Sequence, residues 1–477
     1  MTSFVFVRLA SILPYIKRCL LSSERRDSLK SIQTRLLNST VVSINVCPSS
    51  TNVLSAYSSY VRPKGIFNKV LPNYFQTQQR NLLRHVRRPV PFNMAHHLYG
   101  QLIENHERIK PKNTEDGVSL LRRLATAGSP EEQIKTLSTS DIIMCLYAWR
   151  EQTDLTSKTT SIVQSLYDDK KTRVTGRADA NLLLQVELSK RVKEEDLETL
   201  FHCAHAAFSS RGRRLYFLTS FFDHILEEFD ELSLTKSQFA KILFYIYYHG
   251  DAPERLLFNL QNYLSENMNS FDFNEVHVAC LGFFRANKRI NDYAILNALA
   301  DRLLQNLNIV SGDALVSIMK TFRHSGFTKV SFFTELAERL TSMNLPNITS
   351  LNQVMHLAVA FGSLRLYHEA FLASLVSRSK QILCTTRSSV VRTKDLGRLV
   401  WALGTFCYKD EDFLLNTVVP VFTESLSRNV TVQYPESLVD VAVGMAYLGL
   451  YSDDIINAIF SSSTAAKLRG KDEVTDT

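Results

Sequence analysis

Apolar side chains recur along this chain in steps of three, one and three, and the pattern itself repeats. It is complete from Asp395 onward. Leu396, Leu399, Val400 and Leu403 fall on one face of a helix, in a stripe about 100° wide. A turn with Tyr408, Asp410 and Glu411 follows, then a second helix through Phe413, Leu414, Val418, Val421 and Phe422. The next copy opens at Pro435 and Glu436, with Leu438, Val441, Ala442 and Met445 in the same register. Upstream, the template starts again at Ile142, Leu197, Phe239, Val276, Leu315 and Val354. From Leu197 the starts lie about 37 to 42 residues apart, the length of a two-helix repeat. One such hairpin cannot bury its own apolar face; stacking on neighbours buries it. The fold predicted is therefore all-α: a helical-repeat solenoid of stacked two-helix units.

The second helices are predicted at residues 215–229, 255–264, 293–307, 332–340, 369–382 and 413–426, and Pro420 predicts a kink in the last. Residues 114–124 and 140–149 form the first pair, with Ser140 as N-cap. A short helix is expected over residues 92–109, containing His96, His97 and His106. The step from Ile142 to Leu197 is too long for one unit. A degenerate repeat or an inserted helix there, around residues 180–188, accounts for it.

Charge changes the picture at one end. The chain of 477 residues has a net charge of +8, yet residues 1–90 carry 14 Lys and Arg against only Glu24 and Asp27. That segment is net +12, so the remainder is net −4. The leader is rich in Arg and Ser and begins with an amphipathic stretch, Phe4 to Leu21, interrupted by Arg8 and Pro14. This is the composition of a disordered basic leader that acts as a mitochondrial transit peptide, not of a secretory signal. Arg35 and the neighbourhood of Tyr60 are both candidate cleavage points. No segment reaches the ~18 apolar residues that a membrane span needs. Seven Cys without CxxC spacing give no disulfide frame or zinc site.

The last two units resemble the FAST kinase domain-containing family of mitochondrial RNA regulators. The residues that carry the resemblance run from Asp395 through Leu396, Trp401 and Leu403 to Gly404. They continue from Tyr434 to Gly444, then Tyr447 to Gly449 and Asp453 to Asn457. The match is good over about 390–460, and over 115–390 it is one of repeat style only. In that family a second segment and a C-terminal RAP domain with a nuclease-like fold follow. Here the sequence ends at Thr477, so the expectation is a short isoform or a member without that tail. The resulting division is residues 1–60 as presequence and linker, 61–113 as an irregular segment and 114–389 as helical hairpins. Residues 390–462 are then family-like helical repeats and 463–477 a polar tail.

Covalent chemistry finds no support in the motifs. There is no Gly-rich kinase loop, Val-Ala-Ile-Lys strand, His-Arg-Asp or Asp-Phe-Gly, and no P-loop or nucleophile elbow. Asp179, Glu187 and Lys190 have a nuclease's composition, but two helical turns separate the acids, as on a solvated face. His202, Cys203 and His205 lack further metal ligands and read as packing. The chain is expected to be no enzyme and to need no cofactor.

RNA binding is the stronger reading. Cations recur near the turns: Arg211, Arg213 and Arg214; Arg285, Lys288 and Arg289; Lys320 and Arg323; Arg365; Arg392, Lys394 and Arg398. Stacked repeats align equivalent positions, so these predict a phosphate-tracking stripe. Tyr247, Tyr248, Phe284, Tyr367 and Tyr408 are the nearby aromatics for stacking on bases. The expected role is in the mitochondrial matrix, supporting the stability, processing or translation of mitochondrial transcripts. Its partners would be mitochondrial RNA or RNA-bound proteins of the mitoribosome or RNA granules. The alternative is a protein–protein scaffold in mitoribosome or respiratory-complex assembly, using the groove for a helix or peptide.

Overall fold

A computed structural model of the chain describes residues 92–103, 114–126, 130–154, 180–210, 216–345, 347–386, 391–427 and 436–461. These residues are helical throughout, without a strand among them. The basic leader and the polar tail lie outside them. The described residues divide into two compact units, one ending at Phe327 and the other beginning at Thr328.

In the first unit α1 (Phe92–Ile103) precedes the repeats. The helices α2 (Thr114–Thr126), α3 (Pro130–Thr136), α4 (Thr139–Asp154), α5 (Ala180–Arg191), α6 (Leu197–Ser209) and α7 (Tyr216–Glu227) follow. Then come α8 (Lys236–His249), α9 (Glu254–Asn267), α10 (Phe273–Arg285), α11 (Tyr293–Gln305) and α12 (Gly312–Ser325). First helices pack on first helices: α2 on α4, α4 on α6, α8 on α10, α10 on α12. Second helices pack likewise: α3 on α5, α5 on α7, α7 on α9, α9 on α11. The long step from Ile142 to Leu197 is thereby explained. α5 takes an ordinary second-helix place between α3 and α7, and the surplus length is residues 155–179, outside the described ones.

In the second unit α13 (Val330–Ser342), α14 (Leu351–Leu364), α15 (Glu369–Thr385) and α16 (Thr393–Thr405) lead to a π-helical stretch, Asp412–Val418. It continues as α17 (Val419–Ser427), α18 (Glu436–Tyr447) and α19 (Asp453–Ile459). First helices α14, α16 and α18 form one layer; α13 with α15, and α17 with α19, form the other. The kink expected at Pro420 takes the form of widened turns just before it. Proline offers no N–H to Asn416, and its ring would strike that carbonyl in α geometry.

The stripe positions do what their spacing predicts. Ile142, Phe239, Val276, Leu315, Val354, Leu396 and Leu438 are all buried. Burying each such side chain contributes about 1.5–3 kcal/mol. Leu197 is the exception: it is half-exposed at the start of α6, and Leu200, Phe201 and Ala204 carry the stripe there.

Local chemistry sets the helix ends. Capping boxes form at Thr235 with Gln238, Asp272 with Glu275 and Ser350 with Gln353. Asp196 and Ser311 cap α6 and α12. At α4 the hydroxyl that receives a helix N–H, from Asp141, belongs to Ser138 rather than Ser140. Five first helices, α8, α10, α12, α14 and α16, end on a left-handed residue, at Gly250, Asn287, Gly326, Arg365 and Cys407. At four of these the next amide reaches back into the last turn: Lys288 to Phe283, Phe327 to Phe322, Leu366 to Phe361 and Tyr408 to Leu403, at 2.9–3.0 Å.

A second device recurs inside the units. Ahead of the caps of α8, α10 and α14 a side chain of the second helix donates to a backbone carbonyl. Tyr263 donates to Leu234 at 2.7 Å, Arg302 to the carbonyls of Met268 and Phe271, and Arg378 to Ile348 at 2.7 Å. These bonds fix how each second helix returns along its first.

Candidate nucleic-acid interface

First helices of one unit run parallel, so their C-termini share an edge. That edge carries the negative end of each helix dipole and favours cations. In the first unit the ends of α10 and α12 meet there, with the Phe284 ring edge-on to His324 at 5.6 Å. Arg289 and Arg323 both press on His324. Burial is the main reason the imidazole is held toward its neutral form, and these two guanidinium groups add to it. Arg285, the last residue of α10, is half-buried beside Tyr247, and burial lowers its proton affinity. Arg289 and Arg323 thus come together at His324, while Arg285 ends α10 on the same edge and faces Tyr247.

The other expected cations of this unit differ. Lys288 is held by Glu254 at 3.1 Å. Lys320 lies one turn before Arg323 and near His277, which Asp313 also faces. His277 is pushed down to about 4, mainly by burial. Arg211, Arg213 and Arg214 lie outside the described residues.

The second unit splits the expected stripe. Asn352 donates to Asp395 at 3.2 Å where α14 and α16 begin, and Gly362 faces Ala402 and Phe406 where they end. The two helices are therefore parallel and in register. Arg365 follows the C-terminus of α14, whereas Arg392 caps the N-terminus of α16 and Lys394 sits in its first turn. The cations of this unit occupy opposite ends of the layer instead of one line. Sequence spacing aligns one repeat with the next, but a turn that opens a helix and a turn that closes one look alike in it.

Along α16 only one strip escapes burial: Lys394, Arg398, Trp401 and Thr405, spaced four, three and four residues apart. Against it on α18 lie Glu436 and Asp440. Burial, then Arg398 and Arg392, push Lys394 down to about 8. Burial pushes Asp440 up to about 6, against the pull of Arg398 and Lys394. Asp395 is buried and near Arg392, at 3.7 Å.

The aromatics also sort differently. Tyr247 and Tyr248 are buried, the latter edge-on to Phe208 at 4.8 Å, so neither offers a face to a base. Phe284 is committed to His324. Tyr367 is 57% exposed and Tyr408 half-exposed. In the sequence Trp401 stands out only as part of a packing motif; its place in the unburied strip is the signal that the pattern of buried neighbours supplies.

Part of the first-helix layer of the first unit is already covered. α1 packs on α8 and α10, with Ala95 and Leu98 buried and Tyr99 stacked on His205 at 4.5 Å. His205 is therefore a packing residue, and Cys203 beside it is buried with its thiol pushed up to about 12. Glu187 pairs with Lys190 and Arg191, both at 3.0 Å. Among the described residues no group of three or more His, Cys, Asp or Glu could hold a metal ion, and no helix is long and apolar enough to cross a membrane.

No protein-family profile matches the chain. Individual proteins do. It is 26% identical over 270 residues to "FAST kinase domain-containing protein 5, mitochondrial" of Mus musculus, covering 55% of this chain and 34% of that protein. The human protein of the same name is 24% identical over 254 residues, and that of Macaca fascicularis 25% over 254. This chain is a relative of the FAST kinase domain-containing proteins. It matches about a third of the length of these relatives, 34% and 32% in mouse and human. The family resemblance read from the sequence is thus matched by a comparison that covers about half of the chain.

Proposed function

We propose that this FAST kinase domain-containing relative is a mitochondrial RNA-regulatory protein that works in the matrix by binding alone. Its transcripts would be those whose stability, processing or translation it supports. The observation that carries this reading is the convergence of Arg289 and Arg323 on His324 at one edge of the first unit, with Arg285 at the same helix end. Three cations near two helix C-termini exceed what the dipoles alone ask for, and phosphate is the ligand such a cluster fits. The relatives' mitochondrial name and the basic leader agree on the compartment. The words "kinase domain" in that name carry no catalytic reading, since the chain offers no kinase motif.

The test is binding of the full chain to mitochondrial RNA across a salt series. Arg289→Glu with Arg323→Glu should weaken binding and lower the salt slope by about one for each phosphate no longer neutralised. Unchanged affinity and slope would remove the edge from the reading. Scaffolding of RNA-bound proteins is the second reading, and complexes that survive nuclease treatment without any RNA crosslink favour it.

A further inference from the structure

The strip on α16 differs in kind from the edge of the first unit, because it adds an available ring to its cations. Trp401 is half-exposed and meets no other ring among the described residues, whereas the other tryptophan, Trp149, is 6% exposed. One turn earlier is Arg398. Among the described residues its guanidinium makes no hydrogen bond, and it feels Asp440 and Lys394 only through space. Another turn back is Lys394. Residues three and four apart on a helix have their Cβ atoms about 5–6 Å apart, so one nucleotide can reach a ring and a cation together.

We propose that this strip is a subsite for single-stranded RNA, in which a base stacks on Trp401 and its flanking phosphate is held by Arg398, with Lys394 beyond. The proposal rests on the RNA-binding reading above and deepens it. The first-unit cluster holds phosphates, which every sequence and both strandedness classes provide. The α16 strip requires a base that is free to stack, which a duplex does not offer. Glu436 and Asp440 bound the strip on the α18 side, so an anionic strand follows α16 and does not cross to α18. The helix pair beneath is rigid. A Cβ on Gly404 would lie 2.6 Å from the Gly444 carbonyl oxygen, and one on Gly397 would lie 2.7 Å from that of Ser437. Arginine and tryptophan also anchor protein interfaces. The two cations in line with the ring favour RNA, and a protein occupant is an outcome that the experiment separates.

The experiment titrates the full chain with an unstructured oligouridylate of about 12 nucleotides and with a duplex of equal length, following tryptophan emission and affinity. Single strands should quench Trp401. Trp401→Leu should abolish the quench and weaken single-strand binding roughly 5- to 100-fold while leaving duplex binding in place. Trp401→Phe should restore most of the affinity, and Arg398→Gln should lower the salt slope by about one. These last two variants keep the test valid if Trp401→Leu does not fold. If the parent shows no quench with single strands and Trp401→Leu and Arg398→Gln bind as the parent does, while Arg289→Glu with Arg323→Glu binds weakly, the strip is overturned and the edge stands. Indifference of RNA binding to both sets overturns the two together. A change in Trp401 emission brought about only by a mitochondrial protein, in the presence of ribonuclease, overturns the RNA assignment.

Discussion

Neighbouring first helices are joined in contrasting ways at the α6–α8 and α16–α18 junctions. Between α6 and α8 the contact is made by rings. Phe208 meets Phe244 at 5.1 Å and Tyr248 at 4.8 Å, and Tyr99 of α1 enters the same cluster against Phe244 at 4.9 Å. Between α16 and α18 the contact is nearly backbone on backbone, through Gly397, Gly404, Ser437 and Gly444. Rings hold helices apart and leave a gap that α1 fills, so the first-helix layer there is covered. Small residues draw helices together, and the long side chains of the strip on α16 stay only half-buried beside them. The first arrangement produces core, and the second produces a presented surface.

Two substitutions test that contrast most directly. Phe244→Ala should destabilise the first unit by about 3–5 kcal/mol, because rigid surroundings cannot close over the missing ring. Gly404→Ala should cost the second unit about 1–3 kcal/mol, although alanine is the better helix former, because its Cβ meets the Gly444 backbone, which cannot rotate away. Denaturant unfolding followed by amide exchange in α8 and in α16 reads both. A stabilising Gly404→Ala would show that α16 and α18 are not in close contact.

The units should also respond to acid in opposite senses. His277 titrates in the folded chain at about 4, below the ordinary 6.5, and His249 and His324 are shifted down too, all mainly by burial. The unfolded chain binds their protons first as pH falls from 6.5 toward 4, so the first unit loses stability over that window. Asp440 titrates at about 6 against an ordinary 3.8. Its buried charge is a cost above pH 6 that is relieved as pH falls toward 4, so this group stabilises the second unit over the same window. Exchange at pH 7 and pH 5 should show α10 and α12 losing protection while α16 and α18 gain it. Asp440→Asn should abolish the gain; a gain that persists in this variant would assign the effect to other groups.

The smallest effect expected is at Arg365, which ends α14 with φ of 58°. A side chain there costs about 1 kcal/mol, which glycine avoids at the expense of a looser unfolded chain. Arg365→Gly should be neutral or slightly stabilising in thermal unfolding, and it removes a cation without disturbing the fold. It is therefore the cleanest charge deletion in the second unit.

Periodicity made the helices and their stacking legible, because a stripe such as Leu396, Leu399, Val400 and Leu403 has no other way out of water. The hairpin α4–α5 was obscured because residues 155–179 lengthen its connection, and spacing cannot distinguish a long loop from a lost repeat. Of the candidate site, the sequence supplied the cations and the fold sorted them. Lys288 was committed to Glu254, Arg365 and Lys394 were sent to opposite ends of their layer, and Arg285, Arg289 and Arg323 were gathered on one edge.

What the chain determined by itself is which faces must be buried and where each helix begins and ends. Those follow from apolar spacing, capping side chains and left-handed closing residues, all interactions within a few positions. What the tertiary structure decided is which unburied side chains share a surface. Trp401 and Tyr248 are both aromatics on first helices, and packing alone separates them: Tyr248 is buried edge-on to Phe208, whereas Trp401 lies on the one face of α16 that is not buried.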